Sequence, residues 1–132
     1  MKQQIVWLIL CFVGLAGCQS PFLTFPGGAL QGDVATTDSF AFASDYKLLQ
    51  LETSLDKPYS VWLRSTVIGG DLYIDAAPAR KWAEHLAGEP RVRLKLGEHI
   101  YPAIAVVVSE QKLTEQFLSG RILYRLDPLN HD

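Results

Sequence analysis

The alternation of apolar and polar residues predicts β-strands over most of the chain after residue 39. In six segments, apolar side chains either alternate with polar ones or form short β-branched runs, as expected for strands with one buried face. The six segments are Lys47–Thr53, Tyr59–Ile68, Asp71–Asp75, Arg91–Leu96, Ile100–Val108 and Arg121–Leu126. Gly69-Gly70 separates two neighbouring segments by two residues, and Gly97-Glu98 forms a turn between another pair, which predicts antiparallel hairpins.

Two helices are predicted to interrupt the strands. The first has Asp75 as its N-terminal cap and Pro78 in its first turn, and it ends at Gly88. Its buried face is expected to hold Ala79, Trp82 and Leu86. The second helix is predicted over Glu110–Ser119, before the last strand. Hairpins with one inserted helix and a second helix near the C-terminus indicate an α+β domain, whose antiparallel sheet curls into a small barrel.

The N-terminus has a pattern of another kind. Lys2 precedes an apolar run from Ile5 to Ala16, which is too short to cross a bilayer core of about 30 Å and fits the hydrophobic region of an export signal. The run ends in Leu15-Ala16-Gly17-Cys18, which resembles a bacterial lipobox. The resemblance implies cleavage before Cys18 and lipid on its thiol, and two or more acyl chains anchor a protein stably. The alternative is an ordinary signal peptide, or a short membrane anchor, with a chance cysteine.

The lipobox divides the chain into four predicted parts. These are a lipoprotein signal peptide at 1–17, a lipidated tether at 18–38, a split-barrel-like domain at 39–128 and a tail at 129–132. The tether is predicted from its small and polar residues and from the breaker Pro26-Gly27-Gly28. Gln19 follows Cys18, where inner-membrane lipoproteins tend to have Asp. The resemblance therefore favours a cell-envelope protein on the outer membrane, facing the periplasm.

Composition removes several classes of function. The chain has 12 basic and 14 acidic residues and no polybasic tail, so nucleic-acid binding is not expected. Cys18 is the only cysteine left after the predicted cleavage, which excludes an internal disulfide and a Cys-rich metal site. The histidines lie in separate elements without metal-ligand spacing, at His85, His99 and His131.

A basic strip, formed by Arg91, Arg93 and Lys95, lies on one face of a predicted strand. Such a strip can contact anionic lipid headgroups or a phosphorylated ligand. It can also be the solvated face of a half-buried strand, paired with acids such as Glu89 and Glu98. We favour the solvated face as the interpretation.

Four short motifs follow each other in a fixed order along the second half of the chain. They are Gly70-Asp71-Leu72-Tyr73-Ile74, Arg80-Lys81-Trp82, Gly88-Glu89-Pro90-Arg91-Val92-Arg93-Leu94 and Gly97-Glu98-His99-Ile100-Tyr101. With these motifs, the stretch from Asp71 to Leu126 resembles the split β-barrel proteins related to pyridoxamine 5′-phosphate oxidase. Within that group it is most similar to the deazaflavin-dependent nitroreductases.

This resemblance implies a flavin mononucleotide (FMN) or a deazaflavin, with its phosphate near the start of the first helix. Arg80 and Lys81 match the family's basic pair and would contact the phosphate, and Arg64 lies on the strand that commonly adds a further contact. A helix N-terminus beside cations also suits an anion on physical grounds. The chain departs from the pattern at residues 76–79, which lack the usual Ser, Thr or Gly, and Pro78 removes an N–H donor.

Two functions remain open at this point. The favoured one is a membrane-anchored lipoprotein whose barrel is a non-catalytic binding or interaction module, because no nucleophile–base arrangement is visible and Arg80 and Lys81 can be a solvated helix start. The alternative is a flavin- or deazaflavin-binding, oxidoreductase-like protein. The family resemblance also implies that a homodimer can form through the open sides of two barrels.

The lipid anchor is testable at its thiol. Cys18→Ser is expected to give an unlipidated, uncleaved or soluble form, because serine cannot form the thioether. Cell fractionation with mass spectrometry measures this, and Cys11→Ser, inside the apolar run, is the matched control. A Cys18→Ser protein that still fractionates as a mature, lipid-modified membrane protein would show that the lipobox prediction is wrong.

Overall fold

A computed structural model of the protein describes Pro21 and residues 25–130. Its strands are β1 (Asp33–Val34), β2 (Leu48–Thr53), β3 (Tyr59–Arg64), β4 (Thr66–Ile68), β5 (Asp71–Ala76), β6 (Arg91–Leu96), β7 (His99–Val108) and β8 (Ile122–Pro128). Its helices are a 3₁₀ helix (Ala41–Asp45), α1 (Lys81–Gly88) and α2 (Gln111–Thr114). Across the described part of the chain, no helix is long and apolar enough to span a bilayer.

The strands form one curled sheet in the order β3-β2-β6-β7-β8-β5-β4, with every neighbouring pair in that order antiparallel. The two strands at the ends of this order, β3 and β4, are consecutive in the chain and are separated only by Ser65. The chain therefore crosses at Ser65 from one edge of the sheet to the other, and this crossing closes one side of the barrel. The predicted α+β split barrel is confirmed, with one inserted helix and one late helix.

Ser65 is where the structure departs from the predicted single strand over residues 59–68. Arg64 is the last residue of β3 to pair with β2, opposite Leu48, whereas Thr66 is the first residue of β4 and pairs with Tyr73 of β5. Ser65 lies between these two ladders. Alternation of side chains describes only which face each residue occupies, so it could not reveal that the strand changes partners.

The core lies inside the barrel and is made of alternate residues from its strands. The most deeply buried of these side chains are Leu49, Leu51, Leu72, Ile74, Val92, Leu94 and Leu126. Trp82 and Leu86 of α1 and Phe40 beside the 3₁₀ helix complete the cluster. Burial of one such side chain stabilises the fold by about 1.5–3 kcal/mol.

The hairpin between β4 and β5 has the predicted two-residue turn. Gly69 and Gly70 both have positive φ angles, of 58° and 86°. Successive positive φ angles give the turn that matches the twist of antiparallel strands, and glycine adopts them without strain.

Both helices begin later than predicted. Arg80 is extended (ψ 139°) and forms the N-cap of α1, while Asp75 stays in β5 opposite Leu123. The ladder with β8 keeps residues 72–76 extended, and this outweighs the local helix signals. Ala79 is consequently exposed, whereas Trp82 and Leu86 are buried as predicted. The second helix is a single turn, Gln111–Thr114.

The described part of the predicted tether pairs with two strands of the sheet, β3 and β7. Gly27 and Ser60 exchange two backbone hydrogen bonds of 2.8 and 2.9 Å, and Leu30 is buried. Asp33 and Val34 form β1, which pairs in parallel with the start of β7. The predicted signal peptide at 1–17, Cys18 and the end of the tail lie outside the described residues.

Glu52 connects this N-terminal segment to the sheet. Its carboxylate is almost fully buried and accepts hydrogen bonds from Arg93 Nε (2.8 Å) and Nη2 (3.0 Å) and from the Leu30 backbone N–H (2.6 Å). Three donors on one buried carboxylate offset much of the cost of removing its charge from water. Glu52 therefore ties β2, β6 and the N-terminal segment together.

Removal of this charge is expected to destabilise the fold. Glu52→Gln keeps the side-chain shape but leaves the Arg93 guanidinium without its counter-charge, so the free energy of unfolding should fall by about 2 kcal/mol. Urea unfolding of the purified protein measures the change.

The matched control is Glu89→Gln. Glu89 also binds an arginine, Arg91, but at the surface, where ion pairs contribute little. The unfolding midpoint of the Glu89→Gln variant should stay close to that of the unchanged protein. Equal destabilisation by the two substitutions would contradict the role given to Glu52.

Candidate functional site

An open cavity of about 650 Å³ lies between β3 and the start of α1. Its walls are Tyr59, Val61, Trp62, Leu63, Arg64, Asp75, Ala79, Arg80, Lys81, Trp82, Leu118 and Arg121. The three residues predicted as cofactor contacts, Arg64, Arg80 and Lys81, all line this one cavity. Their assignment to a cofactor stays a prediction, but the fold brings them together across a separation of 16 residues in the sequence.

Packing between β3 and α1 sets the shape of the cavity. Trp82 of α1 is buried in the core, which fixes the helix against the barrel. His85, one turn further on, contacts the Tyr59 ring edge-on at 5.2 Å between ring centroids, and its Nδ1 lies 2.9 Å from the buried Thr53 hydroxyl. These contacts hold the first turn of α1, with Arg80 and Lys81, beside Tyr59 at the start of β3, whereas Arg64 is the last residue of that strand.

The cavity has an excess of positive charge. It is lined by four cations and one carboxylate, Asp75, which pairs with Arg121 at 2.7 Å between Oδ2 and Nε. Among the described residues, Arg64, Arg80 and Lys81 form no ion pair with an acid. Lys81 instead lies with Nζ 5.4 Å from the centroid of the Tyr59 ring, a cation–π contact. Three cations are therefore left to attract an anion.

The N-terminus of α1 adds to this potential. No side chain caps the helix, so its first N–H groups and its dipole remain available to a negative group. The sequence suggested that Pro78 would remove one of these donors. Because the helix begins at Lys81, Pro78 lies before the N-cap and its missing N–H does not belong to the first turn.

The cavity also has an apolar wall and rim. Tyr59 and Trp62 contribute aromatic surface, and the Trp62 Nε1–H donates to the Pro21 carbonyl at 2.9 Å. Leu118 also lines the cavity and is 70% exposed, so it adds apolar surface that a ligand could cover. This combination of cations at one place and exposed apolar surface nearby suits a ligand with a charged end and a planar or apolar body.

Sequence reasoning missed Leu118, Arg121 and the pairing of Asp75. From the sequence, Asp75 is predicted to cap a helix, and Leu118 and Arg121 lie near the predicted end of the second helix. These residues come together because β5 pairs with β8, which brings residues 72–76 beside residues 122–126. No local pattern encodes that pairing.

The basic strip predicted from the sequence lies outside this cavity, and its three cations have partners within the fold. In the basic strip, Arg91 binds Glu89, Arg93 binds Glu52, and Lys95 donates to the Gln31 carbonyl. The hydrogen bonds from Arg91 lower the pKa of the Glu89 carboxyl to about 2. No group of three or more potential metal ligands occurs within residues 25–130.

Comparisons with known proteins identify the fold. No protein-family model matches the sequence, and a search of curated proteins found no match either. Among solved structures, a protein of Listeria innocua provisionally described as a pyridoxamine 5′-phosphate oxidase has a TM-score of 0.59 at 14% identity, over 68% of this chain and 90% of that one.

Two further solved structures are similar to this chain in fold. The heme storage protein HutZ of Vibrio cholerae has a TM-score of 0.52 at 17% identity, over 68% of this chain and 87% of its own. A NimC/NimA family protein of Clostridium acetobutylicum has a TM-score of 0.53 at 12% identity, over 64% and 75%. At such identities the likeness concerns the fold: this chain is a split β-barrel of the kind found in pyridoxamine 5′-phosphate oxidase-like proteins.

Proposed function

We propose that this protein binds a flavin-type cofactor in the cavity between β3 and α1, with the cofactor's phosphate on Arg80 and Lys81 and a further contact from Arg64 to the phosphate or the ring. The observation that carries the proposal is that three cations without acidic partners line one open cavity, and that two of them, Arg80 and Lys81, stand at an uncapped helix N-terminus. A charge cluster that served only the fold would be expected to have acidic partners, as Arg93 has in Glu52.

The structural neighbours support the same class of ligand. One is provisionally named as an oxidase of a phosphorylated vitamin, and another is named for storing heme. Both names point to planar ring systems with anionic groups, which match a cavity with cations and aromatic walls. This support places the flavin-binding alternative ahead of the non-catalytic interaction module that the sequence alone favoured.

The residues present fit a phosphate-bearing group. Arginine presents a planar fork of N–H donors that matches two phosphate oxygens, and lysine adds a compact charge. The residues before α1 are Ala76-Ala77-Pro78-Ala79 and offer no hydroxyl, so cations and backbone N–H groups would provide the binding. A flavin held here would supply electron or hydride transfer.

The other lining residues would orient the ring of the cofactor. Tyr59 and Trp62 give it a partly exposed aromatic surface, and Leu118 gives an apolar contact at the rim. Asp75 is neutralised by Arg121, which reduces its repulsion of an anionic ligand. The chain's own residues would thus bind and position the cofactor.

The location of this activity is part of the proposal. Leu15-Ala16-Gly17-Cys18 supports a lipid anchor on Cys18, which would hold the barrel at a membrane of the cell envelope. Gln19 supports the outer membrane, facing the periplasm.

A titration with FMN and riboflavin tests the cofactor. The purified protein should bind FMN at micromolar concentration and riboflavin, which lacks the phosphate, more weakly. Arg80→Ala with Lys81→Ala should weaken FMN binding by at least about 100-fold, because two charge-assisted hydrogen bonds of about 1.5–3 kcal/mol each are lost. Quenching of flavin fluorescence measures both affinities.

The matched control is Lys112→Ala, an exposed lysine of α2 outside the cavity, which should leave FMN affinity unchanged. Absence of saturable binding of FMN and of a deazaflavin phosphate at micromolar concentration would overturn the proposal. The non-catalytic interaction module would then be the better explanation.

A further inference from the structure

A second open cavity, of about 580 Å³, adjoins the first and shares Arg64 with it. It is lined by Lys47, Leu48, Arg64, Ser65 and Thr66. We propose that this cavity is a second binding site, for an oxyanion of the phosphate type, and that it acts independently of Arg80 and Lys81.

The cavity exists because of the way the barrel closes. The β2–β3 ladder ends at the pair Leu48–Arg64, and the β4–β5 ladder begins at the pair Thr66–Tyr73. The chain passes between the two ladders at Ser65, and β2 is not paired with β4 or β5. The gap beside this crossing is where Lys47, just before β2, faces the same cavity as Arg64 and Thr66.

The chemistry of the lining is that of an anion site. Its five residues include two cations and two hydroxyl groups but no carboxylate. Neither Lys47 nor Arg64 forms an ion pair with an acid among the described residues. Two like charges beside one cavity repel each other unless an anion lies between them, so an anion would stabilise this arrangement.

Ser65 provides an independent sign of a ligand. Its hydroxyl oxygen is buried and has no hydrogen-bond partner in the described part of the protein. A buried hydroxyl without a partner is unfavourable, and natural proteins rarely leave one without a reason. Ser65 also lines the cavity, so rotation of its side chain would let the hydroxyl donate the missing hydrogen bond to a bound oxyanion.

The donors favour phosphate over a carboxylate as the ligand. A guanidinium fork, an ammonium group and two hydroxyls offer donors in several directions, and phosphate oxygens accept from several directions at once.

Because the two cavities share Arg64, substitutions should affect the two sites in a distinctive pattern. Loss of Arg64 should weaken both sites, loss of Lys47 only the second, and loss of Arg80 and Lys81 only the first.

The test is a titration of the ¹⁵N-labelled protein with inorganic phosphate, followed by backbone amide chemical shifts. The amides of Ser65 and Thr66 should shift and saturate in the unchanged protein and also in Arg80→Ala with Lys81→Ala. In Lys47→Ala the apparent affinity should fall at least tenfold, whereas Lys112→Ala should leave it unchanged. The rest of the amide spectrum reports whether each variant is folded.

A second variant isolates the unpaired hydroxyl. Ser65→Ala should weaken phosphate binding severalfold but should not lower the unfolding midpoint, since the hydroxyl has no partner within the fold. Failure of Ser65 and Thr66 to shift in a saturable way would overturn the proposal, as would equal affinities of Lys47→Ala and Lys112→Ala. Neither result depends on FMN binding, so the two proposals fail separately.

Vesicles distinguish the two sources of the phosphate group. If the natural ligand is an anionic headgroup, phosphatidylglycerol vesicles should bind the protein more than phosphatidylcholine vesicles do, and Lys47→Ala should remove the difference. If the ligand is a soluble phosphate compound, inorganic phosphate binds and Lys47→Ala leaves vesicle binding unchanged. Each of these outcomes depends on a phosphate-binding site beside Lys47, so each supports the proposal.

Discussion

The crossing of the chain at Ser65 is the constraint on which the rest of the structure depends. It turns an open antiparallel sheet into a split barrel, because β3 and β4 are the two ends of the strand order and one residue joins them. The closed side allows the inward residues to form one core. The same crossing places Arg64 at a junction, where it lines both cavities. The fold and the candidate sites therefore have a common origin.

The distribution of ion pairs then separates structural charges from functional ones. Glu52, Glu89 and Asp127 each bind an arginine with two hydrogen bonds, and these pairs belong to the sheet and its surface. The cations of the two cavities have no such partners among the described residues, apart from Arg121. Since unpaired cations close together repel each other, their concentration beside β3 and α1 is the feature that most needs a ligand to explain it.

Much of the fold could be predicted from the sequence, because it follows from local patterns. Alternation predicted the strands, Gly69-Gly70 predicted the hairpin, and the family resemblance brought Arg64, Arg80 and Lys81 into one site. The features that could not be predicted depend on contacts between residues that are far apart in the sequence. The break at Ser65 requires the strand order, the late start of α1 requires the β5–β8 ladder, and the buried Glu52 requires the N-terminal segment that covers it.

The central claim is that the cavity between β3 and α1 holds the phosphate of a flavin. The most direct measurement is a crystal structure of the protein grown with FMN. It should show the phosphate within hydrogen-bond distance of Arg80 and Lys81, with Arg64 in contact with the cofactor and the ring toward Trp62 and Leu118. FMN bound elsewhere on the barrel, or bound here with its phosphate away from all three cations, would contradict the account.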